Sequence, residues 1–126
     1  MGSLRQLPAV ARAAWWAVRA DRVARHQLRS HGLEALRIEP PAIPYEGKAG
    51  VRLALKLGSQ NSLADAAVRQ AWCAAQGRHY DIVIGVKAPG KGFDAHAWLS
   101  GDPVLPEGYA EIARVSPRFT AGEGEL

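Results

Sequence analysis

Apolar residues recur at helical spacing from Ala9 to Leu28, which predicts a first helix over residues 8 to 31. Pro8 suits the first turn of that helix, and His31-Gly32 stops it. From 33 to 47 the pattern breaks. Pro40, Pro41 and Pro44 crowd together, and a proline pushes the residue before it toward extended backbone, so this stretch reads as a connector. A short helix is expected from about Lys48 to Leu57, ending at Gly58. The run Gly58-Ser-Gln-Asn-Ser62 is turn-forming. Leu63, Ala66, Ala67, Val68, Ala71 and Trp72 then make one apolar stripe, which predicts a long helix from Leu63 to about Gln76. Gly77 ends it as a left-handed cap.

After Gly77 the period drops to two. Tyr80, Ile82, Ile84 and Val86 alternate with Asp81, Val83 and Gly85, the mark of a mostly buried strand. The turn Ala88 to Gly92 separates it from a second strand, Phe93 to Leu99, and the pair reads as an antiparallel hairpin. Ser100 to Pro103 is another tight turn. Val104-Leu105 is expected to open a third strand and Ile112 to Val115 a fourth, before a frayed tail from Thr120 to Leu126. Helices first and a strand meander afterwards make an α+β fold, with N-terminal helices packed on one face of an antiparallel sheet.

Composition narrows the function classes. With 126 residues, 48% of them hydrophobic and 22% charged, the chain reads as a single domain over 1–126, with a helical part at 8–57 and a helix-and-sheet part at 58–119. A lone cysteine excludes an intramolecular disulfide, no Cys/His cluster has zinc spacing, and a reducing cytoplasm is the expected compartment. No metal and no organic cofactor are implied. The most apolar stretch, Ala9 to Ala20, is cut by Arg12 and Arg19, well short of the roughly 20 residues a membrane span needs. The first ten residues lack the apolar segment and cleavage site of a secretory signal.

The net charge is +4, and Arg12, Arg19, Arg22, Arg25 and Arg29 concentrate on the first helix against Asp21 alone. That face reads either as solvated charge or as a docking surface for an acidic partner or a membrane. No stacking-aromatic module or nucleic-acid motif accompanies the charge, so nucleic acid is not the expected partner.

Two positions carry candidate chemistry. Ser62 precedes the long helix, where unpaired backbone N–H groups and the positive end of the dipole stabilise an oxyanion. Cysteine hydrolases put their nucleophile at such a place. The plain reading is an N-cap, since Asp65 three residues on approximates a capping box. His96 lies mid-strand, with Asp94 and Trp98 on its face, and a base on a rigid strand facing a helix tip is the arrangement of a nucleophile–histidine pair. Its plain reading is a histidine satisfied by a neighbour. His26, His31 and His79 fall on a basic helix, a helix end and a turn, and are weaker candidates. An acid orienting His96 would come from Asp102 or Glu107, though Asp102 also suits the turn before Pro103 and Glu107 an exposed loop.

The run Asn61-Ser-Leu-Ala-Asp-Ala-Ala67, then Gly77, then Ile82-Val-Ile-Gly-Val86, then Gly92-Phe-Asp-Ala-His-Ala-Trp98 resembles the lasso-peptide leader peptidases. These are small bacterial members of the transglutaminase-like, papain-related cysteine peptidase superfamily. The resemblance is sharp over residues 61 to 98 and looser over the first helix and the connector. It implies a papain-related core and a cysteine peptidase that removes the leader from a ribosomally made precursor peptide. Its expected partners are that precursor, a small leader-recognition protein and a macrolactam cyclase. Ser62 falls on the nucleophile position and His96 on the base. The acid position, just past a valine, falls on Glu107 after Val104, with Asp102 as fallback. The Ser62 backbone N–H and the Gln60 side chain would face the oxyanion, with Asn61 and Trp98 beside the substrate.

One departure matters. The family nucleophile is cysteine, and this chain has serine at 62, either introduced to inactivate it or natural. A natural serine would give a serine hydrolase or a binder that does not cut. Cys73 cannot substitute, because eleven residues of helix put it about 16 Å along the axis. It flanks Trp72 and reads as a buried structural thiol.

Overall fold

The computed structural model describes residues 8–58, 61–87, 94–103 and 105–117. Helix α1 spans Ala9–His31, α2 Lys48–Gly58 and α3 Ser62–Ala75; strands β1, β2 and β3 span Ile82–Lys87, Asp94–Leu99 and Ala110–Val115. The α+β expectation holds: α3 packs on the antiparallel sheet, and α1 and α2 pack against α3 and each other.

Helix α1 buries small residues at Ala13, Ala17, Ala20 and Ala24. The spacing keeps all four on one side, and their size lets other helices come close. Helix α2 uses that gap. A Cβ on Gly50 would lie 2.0 Å from the carbonyl oxygen of Val10, and one on Gly47 would lie 2.8 Å from that of Ala9. The stretch between α1 and α2 is extended, broken by 3-10 turns at Leu33–Ala35 and Tyr45–Gly47. The Gln27 amide holds it by bonding both the N–H (2.9 Å) and the carbonyl (3.0 Å) of Arg37.

Helix α3 is the central element. Ala64, Ala66, Ala67, Val68, Ala71 and Trp72 are buried, and Trp72 meets Trp16 of α1 with ring centroids 6.1 Å apart. The buried Gln70 amide donates to the carbonyls of Tyr80 (2.9 Å) and Val115 (3.0 Å). A buried amide is costly unless bonded, and here both donor hydrogens are spent clamping α3 across the sheet. The helix ends as expected. Gly77 has φ +84°, its N–H bonds to Ala74 O, and Arg78 N–H bonds to Cys73 O, the two bonds of a Schellman motif.

The sheet corrects the meander. Its order is β2-β1-β3, so the last strand pairs with β1 rather than following β2, and β2 is left at an edge. Leu105 lies outside any strand, so β3 is the strand foreseen at Ile112 to Val115, begun earlier at Ala110; Val104 and Phe93 lie outside the described residues. β1 starts at Ile82 rather than Tyr80. Ile82, Ala97, Leu99 and Val115 join the core under the helices. Among the described residues no helix is long and apolar enough to cross a membrane.

Candidate active site

The tip of α3 differs from its sequence reading in a way that matters for chemistry. Asn61, not Ser62, is the N-cap: its Oδ1 accepts from the N–H groups of Leu63 (2.9 Å) and Ala64 (3.0 Å). Asp65 makes no capping box and instead pairs with Arg69 one turn on, at 2.8 Å. Ser62 is thereby the first residue of the helix, with its hydroxyl released from capping. Replacing Asn61 by alanine is expected to lower stability by about 1 kcal/mol, read as a fall in thermal midpoint, because two first-turn donors lose their acceptor. An unchanged midpoint would show the cap to be dispensable.

The released hydroxyl meets the edge of the sheet. Ala97 N–H donates to Ser62 Oγ at 3.1 Å, which docks the helix tip on β2. Ala97 and Leu99 face the core, so alternation turns Asp94, His96 and Trp98 to the opposite face. There His96 joins an aromatic group. Its ring centroid is 6.0 Å from that of Trp98 and 5.7 Å from that of Tyr109, and the two flanking rings are 5.9 Å apart. Gly85, opposite His96 in register, makes the room. A Cβ there would lie 2.7 Å from Trp98 Cη2 and 3.0 Å from Tyr109 Cβ. Tyr109 is fixed in turn, its hydroxyl donating to Asp94 Oδ2 at 2.5 Å, a bond that raises the phenol's pKa.

A cleft of about 500 Å³ gathers these groups: the cap Asn61, Ser62, Asp65 and Arg69 from α3, His96, Ala97 and Trp98 from β2, and Asp102, Leu105 and Pro106 from the stretch after it. Ser62 and His96 thus share one cavity, although among the described residues no hydrogen bond is made by the His96 ring. The two candidate acids sit differently. Asp102 gives one oxygen to Arg69 Nη1 (2.8 Å) and the other to Leu99 N–H (3.1 Å), so it stabilises the turn after β2 and makes no bond to His96. Glu107 is exposed in the bend before Gly108 and does not line the cleft, whereas its neighbour Pro106 does. Gln60 lies outside the described residues.

Arg69 is the group that sequence reading missed. It lines the cleft, and its guanidinium bridges Asp65 and Asp102. Burial opposes its charge, but hydrogen bonds to the two carboxylates outweigh that and raise its pKa. Its position four residues after Asp65 was the available signal. Tyr109 was also missed, and Asp94 was placed on the face of His96 but given no role. Only the pairing of both β2 and β3 with β1 brings Tyr109 to His96.

Chemically, the arrangement offers a hydroxyl at a helix tip, a neighbouring imidazole and a donor. Asn61 takes two first-turn N–H groups and its carbonyl a third, from Asp65 (2.9 Å); the Ser62 N–H is left at the positive end of the helix. Among the described residues no group of three or more His, Cys, Asp and Glu side chains is arranged to hold a metal ion.

Cys73 departs from its sequence reading. It is half-buried, and it lines a second cavity on the other side of the Arg69–Asp102 pair. Burial raises its thiol pKa, against the pull of Arg69, Arg78 and Lys48. Less thiolate is therefore present at neutral pH than for a free cysteine. Alkylation by iodoacetamide is expected to rise with pH along a curve displaced upward from that of free cysteine; a curve displaced downward would show the cations dominant.

No curated protein and no solved structure matches the chain. A family model described as the transglutaminase-like superfamily matches residues 4–120, a span that takes in α1, the tip of α3, His96 and all three strands. The chain belongs to the transglutaminase-like superfamily.

Proposed function

We propose that this chain is a leader peptidase of lasso-peptide maturation whose nucleophile position holds serine. The supporting observation is the docking of Ser62 Oγ on β2 at Ala97, one residue from His96, within a single cleft. The Phe93 to Trp98 run and the spacing from Ser62 to Gly77 support the lasso-peptide assignment over other peptidases.

In the reaction, the hydroxyl leaves the Ala97 amide and attacks the scissile carbonyl carbon while His96 takes its proton. The oxyanion faces the Ser62 N–H, with Gln60 as the second donor. The C–N bond then breaks, His96 returns the proton to the departing amine, and water hydrolyses the acyl ester. Neither foreseen acid bonds the imidazole: Asp102 is committed to Arg69 and the Leu99 amide, and Glu107 does not line the cleft. Such a site acts on a precursor peptide presented by a leader-recognition protein and hands the new N-terminus to a macrolactam cyclase, in the cytoplasm.

A second reading, a non-catalytic peptide-binding subunit of the same machinery, draws support from the engagement of the hydroxyl by Ala97 rather than by His96. One experiment separates them. The chain and its Ser62→Cys variant are incubated with a precursor peptide and a recognition protein, and the leader is followed by mass spectrometry. Cleavage by the variant, with the serine form slower by about a hundredfold or more, is the expected outcome, since a hydroxyl is far less ionised than a thiol near neutrality. Cleavage by neither form supports the binding subunit.

A further inference from the structure

The second cavity, of about 340 Å³, shares the Arg69–Asp102 pair with the cleft, since both residues line each. Its floor is apolar, with Trp72, Val51 and Leu99 all buried. Its rim is basic: Lys48 and Arg52 from α2, and Arg78 just after α3. The one acid lining it, Asp102, is consumed by Arg69 and the Leu99 amide. Among the described residues Lys48, Arg52 and Arg78 enter no ion pair, and Lys48 meets only the Tyr45 hydroxyl and ring. The Lys48 hydrogen bond and then the charges of Lys48, Arg78 and Arg52 lower the pKa of the neighbouring Tyr45 phenol.

We propose that this cavity is a subsite for an acidic residue of a peptide, with the carboxylate among Lys48, Arg52 and Arg78 and an adjoining apolar side chain on Trp72 and Leu99. Three cations around an apolar floor match a ligand with an anionic head on an apolar body. A nucleic acid would want its cations spread along a surface track rather than gathered at a pocket of this size. The shared wall at Arg69 lets one peptide occupy the cleft and this cavity together. The assignment rests on the peptide-cleaving reading for the nature of the occupant alone.

The chain supplies its own reporter, because Cys73 is its one thiol and lines the cavity. The serine form is alkylated with neutral iodoacetamide in the presence of a blocked tetrapeptide, acetyl-Ala-Glu-Leu-Ala-amide, or its glutamine counterpart. The glutamate peptide is expected to slow alkylation about fivefold or more and the glutamine peptide much less, an effect lost at high salt. The Arg52→Gln/Arg78→Gln double variant, altered at two exposed positions, should keep its circular dichroism and need about tenfold more glutamate peptide for the same protection. Equal protection by both peptides, no protection, or better protection by inorganic phosphate each overturns the proposal. Cleavage of a precursor without protection retires the subsite and spares the peptidase reading. Protection without cleavage by the Ser62→Cys variant does the reverse.

Discussion

In the Ser62→Cys background, replacing His96 by alanine is expected to slow leader cleavage by about a thousandfold or more. His96 is the one imidazole among the described residues lining the cleft that holds Ser62, and the two carboxylates there, Asp65 and Asp102, are paired with Arg69. The effect should fall on kcat, because the ring's role is proton transfer; binding of the precursor, measured on the uncut serine form, should change little. Asp102→Asn tests a different role. With both its oxygens committed to Arg69 and the Leu99 amide, that change should shift stability as well as rate. A His96→Ala variant that retained most of the activity would remove the imidazole from the mechanism and with it the peptidase assignment.

The second large effect is structural. Gly50→Ala puts a methyl 2.0 Å from Val10 O and 2.9 Å from Ala14 N, and both are backbone atoms of α1 that cannot swing away. Intrinsic helix preference favours alanine by about 1 kcal/mol. Overpacking costs about 3 kcal/mol or more where backbone must separate, so it wins and the variant should be less stable by about 2 kcal/mol. Gly58→Ala is the matched control: nothing lies within 4 Å of its Cβ, and helix preference alone should leave it neutral or slightly more stable. Urea midpoints compare the two. An unshifted midpoint for Gly50→Ala would mean that α1 and α2 do not cross this closely.

The parts of the fold that follow from local chemistry were legible in the chain. Alternation at Ile82 to Val86 marks β1, the small and apolar stripe from Ala64 to Trp72 marks α3, and Gly77 marks its end. Strand order was not legible. Nothing between Leu99 and Ala110 says whether β3 joins β2 or crosses to β1; that is decided by burial of Val115 with Ile82 under the helices. The site divides the same way. Ser62 and His96 stood out because their types and local settings are unusual, and both line the cleft. The cap was misread because Asn61 and Ser62 are adjacent and both suit it; the amide won, with one oxygen reaching two N–H groups. The role of Asp102 was hidden because its partner, Arg69, lies 33 positions away.

The bond between Ala97 N–H and Ser62 Oγ also bears on what an incoming chain must do. Among the described residues no strand pairs with the outer border of β2, and two of the amides there are already taken, Ala97 by the serine and Leu99 by Asp102. A peptide laid along that border must first displace the hydroxyl before it pairs with the main chain. Sulfur is a poorer acceptor than oxygen, so a thiol at 62 would hold the same amide less firmly. The identity of one atom therefore sets both the vigour of the attacking group and how tightly the docking groove is latched at rest.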